Sequence, residues 1–323
     1  MINIDKGVSI ILHDWLGVRR DELIHFVTDE THLRELEAVS RWAYGADAIL
    51  KTTVLPHHLV QSGEIIEKMS DIFSNENVII GATDYSFITT NAVRKAVKNG
   101  ARFLSLPLSC SDGSSLIEND FITMDPKVAL KDARKILKAM EKKKIVRVTT
   151  EKGTNMCFEI HGRQAGYFNG QARKKGETAS SSFEVFVAPI EDKTRGTLIL
   201  DASFGYIGLV KNPCKIVFEK GKIVSCESKG NDAKKLMDYI KSFKSENMYR
   251  PGELGIGLNR ISKTRGVSYI EDESAYHTFH IGMGRNYGLG GKQDAAGHFD
   301  LVTNDPTIEV DGKIIMKNGD LIL

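Results

Sequence analysis

The chain has 323 residues, of which 41% are hydrophobic, 27% charged and 8% aromatic, a composition typical of a folded protein with one or two domains and unlike that of a disordered chain. Its 44 basic and 42 acidic residues leave a net charge of +2, and the basic run KAMEKKKIVR contains no aromatic residue, so we expect no nucleic-acid partner. No apolar run approaches the roughly 20 residues that span a bilayer, and the N-terminus lacks a signal-peptide pattern, so we expect no membrane segment.

The first 144 residues alternate between helical and strand-like patterns. The segment DELIHFVTDETHLRELEAVSRWAYG predicts an amphipathic helix that ends near Gly45. The following segments predict, in chain order, strand DAILKTTVL, helix HHLVQSGEIIEKMSDIFS, strand NVIIGATD, helix TTNAVRKAVKNG, strand ARFLSLPL and helix DPKVALKDARKILKAMEKKK. This alternation predicts an N-terminal α/β domain, residues 1–144, with a parallel or mixed sheet covered by helices.

Beyond residue 144 the pattern changes to short alternating strands separated by glycine. One helix, NDAKKLMDYIKSFKSE, interrupts them, and the closing segment PTIEVDGKIIMKNGDLIL predicts a hairpin that turns at Asp311 and Gly312. We therefore expect a second, β-rich domain over residues 145–323. The fold class predicted for the whole chain is α/β in the broad sense, or α+β.

The stretch HTFHIGMGRNYGLGGKQDAAGHFDLV, residues 277–302, combines potential metal ligands with many glycines. Its segments FHIGMG and GHFDLV predict strands, and residues two apart on a strand point to the same face. His298 and Asp300 should therefore face one point, as ligands of a divalent metal or as a hydrogen-bonded structural pair. The glycines allow backbone to approach a ligand closely.

Two glutamates lie in apolar strand-like segments upstream. Glu184 lies in FEVFVAP and Glu253 in PGELGIGLN. A carboxylate among apolar neighbours is unfavourable unless it is paired or binds a metal, although an edge strand that points the glutamate at water is the alternative. The acidic run at residues 271–273 indicates either a turn or residues that hold the histidines in place.

The ordered set FEVFVAP, ELGIGLN, EDES, HIGMG and HFD, with a tyrosine seven residues after the first of these histidines, resembles the aminopeptidase T family (AmpS, PepS). The resemblance implies five metal ligands: Glu184, Glu253, His280, His298 and Asp300. It implies two divalent ions of zinc, cobalt or manganese and a homodimer. The implied activity is release of leucine-like N-terminal residues from small peptides. Glu253 would accept the proton of the attacking water, and Tyr287 would donate a hydrogen bond to the oxyanion.

The same segments also resemble the 2,5-dihydroxypyridine dioxygenases. In that alternative His280, His298 and Asp300 would form the two-histidine, one-carboxylate triad of a non-heme Fe(II) oxygenase. Phe183 stands where the aminopeptidases usually have glycine, and we expect this bulky neighbour of Glu184 to narrow the site. Asn155 stands where the aminopeptidases have aspartate. Phe183 keeps open a third possibility, a metal-binding relative whose activity has changed.

The remaining histidines and the cysteines carry weaker signals. We expect His57 and His58 to be exposed at a helix start and His161 to be structural, although each is a weaker candidate for a role near the site. The cysteines share no CxxC spacing, which favours reduced thiols and a cytoplasmic protein; they are Cys110, Cys157, Cys214 and Cys226.

Overall fold

The computed structural model of the chain describes residues 1–57, 63–69 and 71–323. These residues group into two compact units. The N-terminal unit comprises Met1–Pro126 and Phe168–Ser182, and the C-terminal unit comprises Lys127–Tyr167 and Phe183–Leu323. The units differ in extent from the two predicted segments, because residues 127–144 group with the C-terminal unit and residues 168–182 return to the N-terminal unit.

The described residues form helices and strands in both units. The α-helices are α1 (Ile4–Ser9), α2 (Leu33–Gly45), α3 (Gly63–Lys68), α4 (Asn91–Lys98), α5 (Pro126–Met140), α6 (Asp232–Ser242) and α7 (Tyr269–Ser274). A π-helix covers Ile10–Trp15, and short 3-10 helices cover Glu30–His32, Leu116–Glu118, Asp120–Thr123, Gly205–Ile207, Glu246–Tyr249 and Tyr287–Leu289.

The strands before Val187 are β1 (Leu23–Asp29), β2 (Ile49–Leu55), β3 (Val78–Ala82), β4 (Arg102–Ser105), β5 (Ile145–Thr149), β6 (Asn155–Glu159), β7 (Gly166–Asn169), β8 (Thr178–Ser180) and β9 (Phe183–Val187). The later strands are β10 (Arg195–Leu200), β11 (Ser203–Phe204), β12 (Cys214–Glu219), β13 (Lys222–Glu227), β14 (Pro251–Gly257), β15 (Thr278–Gly284), β16 (His298–Asn304), β17 (Thr307–Val310), β18 (Lys313–Lys317) and β19 (Asp320–Leu321). The α+β fold class predicted from the sequence is confirmed.

The N-terminal unit is built on a five-stranded sheet with strand order β2-β1-β3-β4-β8. Its pairings are all parallel within the described ranges, because helical connections such as α2 and α4 return the chain to the edge where the next strand begins. Helix α4 starts where the Thr90 side chain accepts a hydrogen bond from the backbone of Val93. The predicted helix at TTNAVRKAVKNG is therefore confirmed.

The first predicted helix is wrong over its N-terminal half. Residues Leu23–Asp29 form strand β1, and the helix begins only at Leu33. Leu23, Phe26 and Val27 follow a helical spacing, but β1 lies between two parallel neighbours and is buried on both faces. A strand buried on both faces carries apolar residues without alternation, which produced the misleading pattern.

The core of the N-terminal unit lies between this sheet and its helices. Phe87 and Phe103 meet edge to face with ring centroids 5.6 Å apart. They belong to a buried apolar cluster that comprises Val27, Leu55, Ile66, Ile72, Ile79, Phe87, Val93, Ala96, Ala101 and Phe103. Burial of these apolar side chains stabilises the packing of the sheet against its helices.

The C-terminal unit contributes two further sheets. The eight-stranded sheet has the order β13-β12-β10-β6-β5-β17-β18-β19, and the six-stranded sheet has the order β11-β16-β15-β14-β9-β7. The predicted C-terminal hairpin is confirmed as the antiparallel pair of β17 and β18. Helix α6 packs behind the six-stranded sheet, where the Tyr239 and Phe243 rings contact Phe299 at centroid distances of 5.2 and 6.3 Å.

No helix within residues 1–57, 63–69 and 71–323 has the length and apolar character needed to cross a membrane.

Candidate metal centre

One face of the six-stranded sheet, called the ligand face below, carries the predicted ligands. Three of them come from strands β14 and β16. Glu253 of β14 lies opposite Gly282 of β15, and Gly282 lies opposite Asp300 of β16. Directly opposed residues of antiparallel strands point to the same face, and His298 shares that face because it precedes Asp300 by two residues. The register of β14 shifts between Pro251 and Glu253, a bulge that aims the Glu253 side chain across Gly282.

The other two predicted ligands join the same face from β15 and β9. His280 lies opposite Gly255, and Glu184 lies opposite Gly257. His280 and Glu184 are buried, and so are the two glycines opposite them. In each of these opposed pairs one residue is a predicted ligand and the other is a glycine. Large polar side chains therefore alternate with bare backbone on this face.

The glycines make room for the two imidazole rings. A Cβ atom at residue 255 would lie 1.9 Å from the His280 Nε2 atom. A Cβ atom at residue 282 would lie 2.6 Å from the His298 Nε2 atom and 2.8 Å from the Glu253 Cβ atom. Because real Cβ atoms do not approach this closely, the glycine at each position is required by the packing of the ligands.

The histidines pair directly with the carboxylates. The His280 Nε2 atom lies 2.9 Å from Glu184 Oε2, and the His298 Nε2 atom lies 3.1 Å from Glu253 Oε2 and 3.4 Å from Asp300 Oδ1. The His298 Nδ1 atom donates a hydrogen bond of 2.8 Å to the carbonyl oxygen of Arg285. That bond fixes the ring orientation and directs Nε2 at the carboxylates, which is how a ligating histidine is usually held.

Glu253 links two groups of potential ligands. One group is Glu184, Glu253 and His280, the other is Glu253, His298 and Asp300, and within each group the ligand atoms lie within 4.8 Å of one another. The His280 Nδ1 atom is buried and forms no hydrogen bond within the part of the chain that the structure describes. Imidazole and carboxylate donors at this spacing fit iron, zinc, cobalt or manganese.

The electrostatics of the cluster favour added positive charge. Burial lowers the pKa of His280, but its hydrogen bond to Glu184 and the charges of Glu184, Asp300 and Glu253 outweigh burial and raise that pKa to about 9. Burial also opposes protonation of His298, yet Asp300 and Glu253 raise its pKa well above the usual value. Protonated imidazoles thus balance the carboxylates, a balance that a divalent ion would provide instead.

The pKa values of the buried carboxylates shift in opposite directions. Burial, followed by the charge of Glu184, raises the pKa of Glu253. Burial acts against ionisation of Asp300 as well, but His298, His280 and a hydrogen bond from Glu273 lower its pKa below the ordinary range. Burial and the charges of Asp300 and Glu184 raise the pKa of Glu273 well above its usual value. This raised pKa favours the protonated form of Glu273, the form that donates a hydrogen bond to Asp300.

The acidic run predicted as a turn or as support for the histidines is helix α7, and all three acidic side chains are buried. Glu271 pairs with the Arg265 guanidinium. Asp272 accepts hydrogen bonds from the backbone of Arg265 and Gly266, and burial raises its pKa to about 6. Glu273 interacts with Asp300, which itself lies 3.4 Å from His298. Its position in an acidic run was the only signal in the sequence.

Tyr287 and Phe183 are not part of the cluster that the five predicted ligands form. Tyr287 is in the 3-10 helix that follows β15 and is 48% exposed. Among the described residues, no hydrogen bond or ring contact joins its side chain to the five predicted ligands. Phe183 is fully buried, and because it precedes Glu184 on β9, its side chain points to the opposite face of the strand. Phe183 therefore does not narrow the ligand face.

The weaker candidates lie outside the cluster. Asn155 is on β6 in the eight-stranded sheet and accepts a hydrogen bond from Arg147. His161 is exposed, with its Nδ1 atom 4.0 Å from Glu159. His57 follows β2 and its Nδ1 atom lies 3.3 Å from Asp84. His58 lies outside the described residues.

Comparisons with known proteins connect this arrangement to one enzyme family. The family model described as NicX, 2,5-dihydroxypyridine 5,6-dioxygenase, matches residues 44–323. The 2,5-dihydroxypyridine 5,6-dioxygenase of Pseudomonas putida KT2440 is 28% identical over 150 residues, which are 43% of this chain and 42% of that enzyme. The aligned part thus spans less than half the length of that relative.

Two solved structures share the fold. The structure of 2,5-dihydroxypyridine dioxygenase from Pseudomonas putida KT2440 aligns over 100% of this chain and 98% of its own, with a TM-score of 0.75 and 16% identity. Wild-type AmpT from Thermus thermophilus aligns over 99% of both chains, with a TM-score of 0.66 and 13% identity. At these identities the likeness shows the fold alone.

Proposed function

Because the chain belongs to the NicX family of 2,5-dihydroxypyridine 5,6-dioxygenases, we propose that it is an iron-dependent oxygenase that opens a small hydroxylated pyridine-like ring. The observation that carries this proposal is the convergence of Glu253, His298 and Asp300 on one point of the ligand face, in a chain that the family model matches over residues 44–323. The predicted aminopeptidase activity becomes the second candidate, because the sequence comparisons favour the oxygenase.

Glu253, His298 and Asp300 would hold the iron. The sequence alone favoured His280, His298 and Asp300, but the described ligand atoms group Glu253 with His298 and Asp300, and His280 with Glu184 and Glu253. Glu253 reaches the first group because Gly282, which separates it from Asp300, has no side chain. A bound iron would supply the redox chemistry that couples dioxygen to ring opening.

The residues around the ligands would bind and orient the substrate. The His298 side chain is 22% exposed, whereas those of Glu253, His280, Glu184 and Asp300 are at most 5% exposed. A small substrate would therefore approach from the His298 side. Phe186 shares the face of Glu184 and would offer an apolar wall to a planar ring. One carboxylate of this face would accept the proton that a hydroxyl group of the ring releases when it binds.

A second candidate is the hydrolysis of small peptides from the N-terminus. It is favoured by the two ligand groups that share Glu253, since a shared carboxylate is suited to two neighbouring divalent ions, and by the fold shared with AmpT. In this case Glu253 would accept the proton of water and Tyr287 would donate to the oxyanion, with zinc, cobalt or manganese as the ions.

Parallel assays on one preparation distinguish the candidates. Protein loaded with Fe(II) is given 2,5-dihydroxypyridine in air, and protein loaded with Zn²⁺, Co²⁺ or Mn²⁺ is given leucyl p-nitroanilide and short Leu-peptides without oxygen. Oxygen uptake with loss of the pyridine absorbance supports the oxygenase. Leucine release without oxygen supports the aminopeptidase. Inactivity in both arms while metal is bound supports the third possibility, a metal-binding relative with altered activity.

A pair of variants ties either activity to the ligand face. His298→Ala should lose activity together with the metal bound at the six-stranded sheet, because it removes a predicted ligand of that metal. His161→Ala, at an exposed histidine outside the cluster, should keep both and serves as the matched control. Metal retained in full by His298→Ala would contradict the ligand assignment. The homodimer implied by the resemblance to the aminopeptidases is likewise a proposal, and light scattering tests it.

A further inference from the structure

A second group of potential metal ligands lies in the N-terminal unit, at the carboxyl edge of its parallel sheet. Strand β1 lies between β2 and β3, so the chain leaves β1 to one side to form β2 and later returns to its other side to form β3. At such a reversal of strand order the loops diverge, and ligands of open α/β sheets bind there. Asp29 ends β1, and Asp84 follows β3 across this reversal point.

Four side chains from three loops meet at this edge. The His32 Nε2 atom lies 2.8 Å from Asp84 Oδ1 and 3.9 Å from Asp29 Oδ1. The ligand atoms of Asp29, His32 and Asp84 all lie within 4.8 Å of one another. On the other side of Asp84, the His57 Nδ1 atom lies 3.3 Å from Asp84 Oδ2.

Hydrogen bonds from two backbone amides and one hydroxyl hold the Asp29 carboxylate in place. Asp29 Oδ1 accepts hydrogen bonds from the Thr31 backbone and hydroxyl, and Asp29 Oδ2 accepts a hydrogen bond of 2.8 Å from the Asp84 backbone. A carboxylate oxygen has two lone pairs, so Oδ1 is fully used by its two bonds whereas Oδ2 keeps one lone pair. These bonds therefore orient Asp29 without using all of its capacity to bind a cation, which is the support that metal ligands commonly have.

Among the described residues, the ion pairs of these two carboxylates are with histidines and not with lysine or arginine. Within residues 1–57, 63–69 and 71–323, the charged partners within 4.0 Å of Asp29 and Asp84 are histidines only. Asp29 is 5% exposed and the Asp84 side chain is 18% exposed. Burial of two carboxylates so close together is unfavourable unless positive charge accompanies them. The two imidazoles supply nitrogen donors beside that negative charge.

We propose that Asp29, His32 and Asp84 form a second metal site, which binds a divalent transition-metal ion of the zinc, cobalt or manganese kind with His57 as a fourth ligand. The mixed nitrogen and oxygen donors favour these ions over magnesium and calcium, which bind oxygen. The close His32–Asp84 and Asp29–His32 distances suit ligands that each lie about 2.0–2.2 Å from one ion. The site does not depend on the proposed oxygenase activity.

Metal binding is tested in a chain whose other centre has been removed. The full chain carrying Glu253→Ala, His298→Ala and Asp300→Ala, which disrupts both ligand groups of the six-stranded sheet, is titrated with Zn²⁺ or Co²⁺ by calorimetry and analysed for metal after dialysis. We expect it to keep one ion per chain. Adding His32→Ala or Asp84→Asn should remove that ion or weaken its binding by more than about 100-fold, since even the loss of a residue supporting a ligand weakens binding 10–100-fold. Asp84→Asn preserves the size of the side chain.

A matched control uses the exposed pair of His13 and Asp14, whose atoms lie 2.8 Å apart. His13→Ala in the same background should leave the ion in place. Absence of a bound ion in the background chain would overturn the proposal, as would equal loss on His13→Ala and His32→Ala.

Crystals of the unaltered chain give a readout that does not depend on the folding of any variant. Anomalous scattering from crystals grown with Mn²⁺ or Co²⁺ should show a peak in contact with Asp29, His32 and Asp84. Anomalous density at the six-stranded sheet alone would overturn the proposal. Because this peak is separate from the one at His298, failure of the second site and failure of the proposed activity are distinguishable.

Discussion

Replacing Gly255 by alanine tests whether the ligand face depends on bare backbone. The new Cβ atom would lie 1.9, 2.2 and 2.6 Å from the Nε2, Cε1 and Cδ2 atoms of His280. Since carbon atoms pack at about 3.5 Å, the imidazole would have to move by roughly 1.6 Å. His280 is 1% exposed and paired with Glu184 at 2.9 Å, so this movement would break that pair.

The expected effect on function is large. Binding constellations work when they are held within about 0.5 Å, and a misplacement of about 1 Å commonly lowers a rate about 100-fold. We therefore expect Gly255→Ala to lower turnover of the active substrate at least about 100-fold and to weaken metal binding. The crowding should also lower the free energy of unfolding by about 1–3 kcal/mol.

The assay measures turnover and metal content, the latter by elemental analysis, below the melting transition of the variant. Thermal unfolding is recorded separately. Gly45→Ala is the matched control, because no atom lies within 4 Å of a Cβ added there and Gly45 ends helix α2 far along the chain from the ligands. Gly255→Ala protein that keeps its metal and turns over at the wild-type rate would refute the reasoning, since the imidazole would then not occupy the place described.

Two further predictions concern Tyr287 and His25. Tyr287→Phe should leave the metal content unchanged, because its half-exposed side chain contacts none of the five predicted ligands among the described residues; loss of the ion, measured by elemental analysis, would place Tyr287 in the centre. Burial lowers the pKa of His25 from 6.5 to about 4, so between these pH values the unfolded chain binds a proton that the folded chain does not. The free energy of unfolding should therefore fall by about 3 kcal/mol through this residue as the pH drops from 6.5 to 4. His25→Gln should remove this contribution to the pH dependence measured by denaturant unfolding. An unchanged pH dependence in the variant would contradict the prediction.

The sequence determined those features that depend on neighbours along the chain. Alternation of side chains along a strand put His298 and Asp300 on one face, and the turn chemistry of Asp311 and Gly312 predicted the last hairpin. The apolar surroundings of Glu184 and Glu253 marked them as carboxylates that need a partner. Local periodicity and the unfavourable burial of charge are properties of short segments, which explains why the sequence was sufficient for these features.

Local periodicity predicted the wrong secondary structure where strands distant in the sequence determine which faces are buried. The apolar spacing of β1 predicted a helix, because nothing in residues 21–45 shows that strands β2 and β3 bury both of its faces. The orientation of Phe183 away from the ligand face was hidden for a related reason. A bulky residue next to a predicted ligand looked like an obstruction until strand β9 had a defined inner and outer face.

Only the tertiary structure decided which residues meet. Register between β14, β15 and β16 put Gly282 between Glu253 and Asp300, and this makes Glu253 the residue that links both groups of ligands. The contact of Glu273 with Asp300 and the meeting of Asp29 with Asp84 join residues 27 and 55 positions apart in the chain. Such contacts depend on strand order and register, which are set by the burial of whole sheets and not by the residues that come to lie side by side.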